Sequence, residues 1–241
     1  MGSNSYSYQQ LEWDTNFFGV SSGRIVLHDA LGMREYSKIL ADLDSNEFTV
    51  IYNEGNIPVL NEWLGQNTVA SLMDVNVQFS KKRSAFSQKG SNQVTIKNNL
   101  TPSEDILDIA SRSFIYSRFF NDSKLEKSKA CMVYRNWVRT AFEREEKYFA
   151  QFMNETVCLG FLLFSIHNDE LIIELIAVDS SVKQQGIGSS LLDSVEQFAF
   201  QEKVNTIKVG TQINNSKAIR FYTKNGYLYQ SCSSVYHHWR N

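Results

Sequence analysis

At 241 residues the chain has room for one large domain or two small ones with a substantial core. Its formal net charge is −2, with both signs scattered and no basic run longer than Lys81-Lys82-Arg83, so a nucleic-acid partner has no electrostatic footprint. No apolar stretch approaches the length of a membrane span, and the polar start Met1–Tyr8 lacks the apolar centre of a secretion signal, which makes the cytoplasm the expected compartment.

In chain order, helical spacing predicts a helix over Met33–Leu43, and alternation predicts short strands at Thr49–Tyr52 and Asp74–Phe79. These make an N-terminal α/β module. The polar, turn-rich run Ser84–Gln93 then marks a domain boundary near Asn92, giving modules 1–92 and 93–241. A strand is expected near 94–98. Thr101-Pro102-Ser103-Glu104 reads as a helix start, with Thr101 as cap and proline at the first helical position, opening a helix over 103–116. A second helix, over 126–145, has Ala130, Tyr134, Trp137, Val138, Ala141 and Phe142 at helical spacing. Strands near 147–153, 157–166 and 170–178 lead to a further helix, strand, helix and terminal strands. No internal repeat is visible in the sequence.

The last third carries the chemistry. After the apolar run Leu171–Val178, Lys183-Gln184-Gln185-Gly186-Ile187-Gly188 opens a segment with Ile187, Leu191, Leu192, Val195, Phe198 and Ala199 at helical spacing. Strand, glycine loop and helix in that order bring unpaired main-chain N–H groups and the positive end of a helix dipole onto one anion. After the next strand, Thr206–Gln212, Asn215 starts a helix that shows Ala218, Phe221 and Tyr222 on one face and closes at Asn225-Gly226.

The pair of motifs resembles the GNAT superfamily of N-acetyltransferases, with its pyrophosphate loop R/Q-x-x-G-x-G/A and following helix N-x-x-A-x-x-x-Y-x-x-x-G-F/Y. Lys183, Gly186, Gly188, Asn215, Ala218, Tyr222 and Gly226 stand at the matching positions. Lys183 departs from the usual Arg or Gln, keeping the charge without the planar fork. Leu11–Gly19, Ser117-Arg118-Phe119, Tyr134 with Trp137, and Tyr236–Trp239 are similar, in the same order, to the branch that acetylates TDP-fucosamine (dTDP-4-amino-4,6-dideoxy-D-galactose).

The resemblance implies an α/β (α+β) fold with a mixed, mostly antiparallel, splayed sheet flanked by helices. It implies acetyl-coenzyme A as cofactor and a small-molecule nucleotide-sugar acceptor, with a homodimer as the expected assembly. The cofactor-binding set it implies is Ile176, Ala177, Val178, Lys183, Gln184, Gln185, Gly186, Ile187, Gly188, Ser189, Asn215, Ala218, Phe221 and Tyr222. Tyr222 is the expected general acid toward the departing sulfur; outside the motif it would read as an aromatic on a buried helix face.

Glu174 interrupts an apolar strand and is the first general-base candidate; a strand-end glutamate facing water or a buried ion-pair partner is the competing reading, and a water chain could replace any single base. His237 and His238 compete for the same role, and strand alternation allows at most one of them. Trp13, Phe17 and Phe18 could cover a base or deoxysugar, and Arg118 could grip a diphosphate, although each could equally be a core aromatic or a surface arginine. Three widely separated cysteines, Cys131, Cys158 and Cys232, form neither a disulfide framework nor a zinc knuckle and read as inert thiols; no metal is expected. Two alternatives stand beside an amino-sugar acetyltransferase: the same chemistry on a peptide N-terminus, polyamine or antibiotic, and a non-catalytic coenzyme A-binding module.

Overall fold

The structure is a computed structural model that describes residues 5–87, 89–182 and 185–240. The N-terminal segment runs β1 (Tyr6–Gln10), α1 (Glu12–Phe18), β2 (Ser22–Leu27), α2 (Met33–Asp44), β3 (Phe48–Asn53), α3 (Pro58–Asn67) and β4 (Ser71–Lys82). There follow β5 (Val94–Asn98), α4 (Glu104–Ser113), α5 (Arg118–Asn121), α6 (Lys127–Ala141), β6 (Lys147–Asn154), β7 (Val157–His167) and β8 (Glu170–Val178). The chain ends with α7 (Ile187–Gln201), β9 (Thr206–Gln212), α8 (Ser216–Lys224) and β10 (Leu228–Trp239).

Local chemistry accounts for most of these elements. Pro58 stands at the start of α3, where its missing N–H costs nothing, and Leu60 and Leu64 are buried one turn apart on its inner face. In α6 the buried positions Ala130, Val133, Tyr134, Val138 and Ala141 follow the helical repeat, whereas Trp137 is 43% exposed and turns toward a cleft. The expected cap at Thr101 is corrected: α4 begins two residues later, with Ser103 at the cap position and no side-chain cap bond. Glu104 and Asp105 of its first turn reach Arg135 and the main-chain N–H of Cys158 instead. The helix also ends before 116, because Phe114 leaves helical angles and its ring stacks on Tyr134 at 4.5 Å.

All ten strands form one sheet, in the order β1-β2-β3-β10-β4-β9-β8-β7-β6-β5. Only β2–β3 and β8–β9 are parallel, as α2 and α7 cross over between them. The proposed boundary near Asn92 lies between β4 and β5, yet the last strand of the chain sits between two strands of the first 92 residues. Although the sequence shows no repeat, the topology does. Exchanging β1 with β7, β2 with β8, β3 with β9 and β4 with β10 reverses the central strand order and preserves every strand direction. The sheet thus has a pseudo-two-fold between β4 and β10, and each half lends its last strand to the other.

Two features of β8 position the site. It pairs with β9 only from Glu170 to Ile173, so from Glu174 onward its outer main-chain edge has no strand beside it. Its register with β7 also shifts between Leu175 and Ile173, leaving Glu174 as the extra residue of a bulge. A bulge reverses which face a strand's side chains take. Accordingly Leu171 and Ile173 pack with α7 on one face, while Leu175 and Ala177 pack with α4 and α6 on the other.

A buried ion pair ties the halves together on the α7 face. Lys81 of β4 donates to both oxygens of Glu196, at 2.9 and 2.8 Å, and to the carbonyl of Asn225 at 2.8 Å. Glu196 is 1% exposed. Removing one member of such a pair strands the other, so Glu196→Ala should lower the unfolding free energy by about 3–5 kcal/mol in urea denaturation. Adding Lys81→Met should restore most of that loss, and a cost below about 1 kcal/mol for the single variant would show a hydrated, dispensable pair.

Candidate functional site

The splay between β8 and β9 opens into a cleft of about 1400 Å³ that runs from the start of α7 to the N-terminal module. At the α7 end, Gly186 precedes the helix with φ +80°, a left-handed conformation that glycine adopts without strain. The first helical bond is Ser190 N–H to the Gly186 carbonyl, which leaves the amides of Ile187, Gly188 and Ser189 without a helical partner among the described residues. Among the described residues, nothing lies within 4 Å of where a Cβ on Gly186 would stand. Asn215 caps α8 by accepting from Ala218 N–H at 3.2 Å, and Lys217 and Lys224 add positive charge to the wall. Open amides, a helix N-terminus and nearby lysines suit a polyphosphate.

Most of the cofactor-binding set lines this cleft: Ile176, Ala177, Val178, Gly186, Ile187, Gly188, Ser189, Asn215, Ala218, Phe221 and Tyr222. Gln185 is exposed and outside the wall, and Lys183 and Gln184 lie outside the described residues. Tyr222 packs at 6.0 Å from both Phe79 and Tyr227, and burial holds its phenol well above the ordinary 10.0. It is therefore protonated at neutral pH.

Glu174 also faces the cleft, fully engaged. It accepts from Lys147, from Ser165 Oγ at 2.9 Å and from Trp137 Nε1 at 3.2 Å. The ion-pair reading of this residue is the one its partners support. The thiol of Cys158 is buried, and that burial pushes its pKa up to about 11, which keeps it protonated at neutral pH.

At the far end the wall includes Trp13, Asp14, Tyr52, Asp74 and Arg118. Phe17, Phe18 and His237 stand behind the wall instead of in it. Phe18 is 6% exposed and packs on Phe48 and Phe119, while Phe17 stacks under Trp13 at 4.8 Å. Strand alternation sends His237 to the Phe48 side of β10, where its ring is 1% exposed.

His237 nevertheless governs the cleft through Arg118. A guanidinium only donates, so the 2.8 Å contact of Arg118 Nη1 makes His237 Nε2 the acceptor and puts the ring proton on Nδ1. Nδ1–H then donates to Asp122 Oδ2 at 2.6 Å, and Trp239 Nε1–H donates to the same oxygen at 2.8 Å. Burial, helped by the Arg118 charge, pushes the His237 pKa down to about 4 despite the pull of Asp122. Burial alone would raise the Asp122 carboxyl, but hydrogen bonds from His237 and Trp239 outweigh it and hold it low. The result is a neutral imidazole that orients a cation, whose far face lies 4.0 Å over Phe119.

Sequence reading missed the polar stripe of β4. Asp74, Asn76 and Gln78 alternate along the strand and all line the cleft. Asn76 and Gln78 are hydrogen-bonded to each other where Gly210 of β9 leaves room, since a Cβ there would lie 2.5 Å from Gln78 Nε2. The alternation Asp-Val-Asn-Val-Gln-Phe was the available signal, a strand with one polar and one apolar face.

The His237 assignment has a pH consequence. The unfolded ring protonates near 6.5 and the folded one only near about 4, so unfolding takes up a proton between these values and stability from this group is lost as pH falls through that window. Nitrogen-detected NMR should find His237 as the Nδ1–H tautomer, uncharged down to about pH 5. A midpoint near the ordinary 6.5 would show a hydrated ring and no Arg118 contact.

The profile of the acetyltransferase (GNAT) family matches residues 104–227, just over half of the chain. Among curated proteins the chain is similar to the spore coat polysaccharide biosynthesis protein SpsD of Bacillus subtilis (strain 168), at 28% identity over 136 residues. That match takes in 56% of this chain and spans about half, 47%, of the relative's length. Among solved structures, a functionally unknown conserved protein from Staphylococcus epidermidis ATCC 12228 superposes with TM-score 0.68 at 13% identity, over 100% of this chain and 93% of that one. A GCN5-related N-acetyltransferase from Sphaerobacter thermophilus superposes with TM-score 0.65 at 10% identity, over 97% and 76%. With the splayed sheet, the glycine loop before α7 and the family match all falling on the same residues, the chain belongs to the acetyltransferase (GNAT) family.

Proposed function

We propose that this chain transfers the acetyl group of acetyl-coenzyme A to the amine of a nucleotide-activated amino sugar, with dTDP-4-amino-4,6-dideoxyhexose as the first candidate. One observation carries the reading. A single cleft has an open amide cradle at one end and, at the other, an arginine held by a neutral histidine and stacked on the ring of Phe119. A cofactor pyrophosphate suits the first end, and the diphosphate and base of a nucleotide sugar suit the second. The likeness to a protein of polysaccharide biosynthesis agrees with a sugar acceptor.

Acetyl-coenzyme A is the donor of this family and supplies the acetyl group as a thioester. The residues present fit it: the open space above Gly186 and the free amides of Ile187, Gly188 and Ser189 would take the pyrophosphate, and the unpaired edge of β8 at Ile176, Ala177 and Val178 would take the pantetheine amides and the oxygen of the reacting carbonyl. Tyr222, protonated at all working pH values, would give the departing sulfur its proton. On this reading residues 1–92 supply the acceptor wall through Trp13, Asp14, Tyr52 and Asp74, and residues 93–241 supply the cofactor side.

The deciding experiment incubates purified protein with acetyl-coenzyme A and a set of nucleotide-linked and free amino sugars, polyamines and peptides, read as the mass gain of one acetyl group. Acetylation confined to nucleotide-linked amines is the expected result; equal efficiency with free amines would overturn the nucleotide-sugar assignment. Tyr222→Phe should lower turnover by at least about tenfold with acetyl-coenzyme A affinity nearly unchanged, since only a proton is removed. Gly186→Val should abolish that affinity in a folded protein, because a β-branched residue resists φ +80° and fills the cradle. Arg118→Ala should raise the acceptor KM for the nucleotide sugar and leave the free sugar's unchanged; no change on either would remove Arg118 from acceptor binding.

A further inference from the structure

The acceptor end of the cleft holds a carboxylate with an unused oxygen. Asp74 is 8% exposed, forms part of the wall, and its Oδ1 has no hydrogen-bond partner among the described residues. Leaving a buried carboxylate oxygen without a donor is costly, and when such an oxygen sits in the wall of a cleft the donor is expected from a ligand. The residue paired with it across β10 is Val235, whose side chain offers no donor.

Of the other proton-acceptor candidates, two are occupied, and the third, His238, is buried with its Nδ1 unpartnered among the described residues but lies outside the cleft wall. Glu174 is filled by Lys147, Ser165 and Trp137, and the Nε2 lone pair of His237 is taken by Arg118. The charged and titratable groups around Asp74 are Arg118 of α5, Tyr52 of β3, Tyr134 of α6 and Asp14 of α1. Arg118 acts on Asp74 through its field, its hydrogen bond going to His237.

Resting on the reading of this cleft as an amine acetylation site, we propose that Asp74 receives the ammonium group of the acceptor and takes its proton, presenting a neutral primary amine to the splay between β8 and β9. In this step an N–H bond of the ammonium breaks and an O–H bond forms on the carboxylate; the proton then leaves to water through the mouth of the cleft. An alkylammonium has no lone pair, so some such transfer must precede attack. The ligand class follows from the two groups together: a primary ammonium at Asp74 carried on a molecule whose anionic part meets Arg118.

Burial pushes the Asp74 carboxyl up to about 6, with the main-chain N–H of Val75 and the charge of Arg118 limiting the rise. A proton acceptor poised there is half ready at mildly acidic pH and fully ready at neutrality. Below about 6 it is already protonated and neither pairs with an ammonium nor accepts from one.

The test compares wild type with Asp74→Asn, Asp74→Glu and Asp29→Asn. The probes are acetyl-coenzyme A alone, dTDP-4-amino-4,6-dideoxygalactose, the same nucleotide sugar with hydroxyl in place of the amine, and butylamine. Wild type should bind the amino compound at least about tenfold tighter than its hydroxyl counterpart, and Asp74→Asn should reduce that ratio to near one with acetyl-coenzyme A affinity unchanged. The acid limb of kcat/KM near pH 6 should vanish in Asp74→Asn, with the rate down by about a hundredfold, and Asp74→Glu should recover part of it. Asp29→Asn, at an exposed carboxylate outside the cleft, should keep both the ratio and the limb. Carbon-detected NMR of the Asp74 carboxyl with butylamine gives a readout independent of turnover and of any variant's folding. If nucleotide sugars do not bind but butylamine shifts that resonance, the acceptor identity falls and the role of Asp74 stands. An unshifted resonance, or a folded Asp74→Asn that keeps the preference for the amine, overturns the proposal.

Discussion

The antiparallel pairing of β10 with β4 is the constraint on which the rest of the molecule depends. Ser234–Trp239 of β10 pair with Asn53–Phe48 of β3 on one side, while the same strand pairs with β4 on the other. This ladder closes the sheet through the chain's last residues and carries His237, Val235 and Trp239 into the N-terminal half. Register is decisive, because a slip of one residue would turn His237 out of the Phe48 side and release Arg118. The far wall of the cleft is thus built from segments more than a hundred residues apart in sequence, held by main-chain hydrogen bonds rather than by any one side chain.

Arg118 is the electrostatic hub of that wall. It is flanked by Asp14, Asp74 and Tyr134 and bonded to His237, and its charge acts on all four. A direct Arg118–Asp122 bond would neutralise the guanidinium locally. The interposed neutral imidazole passes on orientation and leaves the cation's charge for the cleft. The saturated Glu174 works in the opposite sense: its donors hold the bulge of β8 in shape, and so hold open the main-chain edge from which the cofactor side of the cleft is made.

The pseudo-two-fold relates two helix starts with different fates. Before α7, Gly186 leaves an open cradle with unpaired amides beyond it. Before α2, at the equivalent turn, the N–H of Gly32 is taken at 2.7 Å by the carboxylate of Glu35 three residues on. A helix start already occupied by its own carboxylate repels an external anion. The two halves therefore share a topology while one leaves its helix start open to an anion and the other fills it.

The sequence by itself determined what short-range geometry decides. The glycine at φ +80° before α7, the Asn215 cap, the left-handed Gly226 after α8 and the strand periods of β5 to β9 are set by a few neighbouring residues, and the loop and helix motifs stood out for that reason. The start of α4 was misplaced because Thr101 and Ser103 offer equivalent local caps, and packing of the first turn against Arg135 and Cys158 chose between them. Only the tertiary structure decided that Glu174 sits on a bulge with three donors, that His237 stands behind Arg118, and that Asp74 has an oxygen left over. Each depends on which strand lies beside which, and neither pairing partner nor register is encoded in the alternation of a single strand.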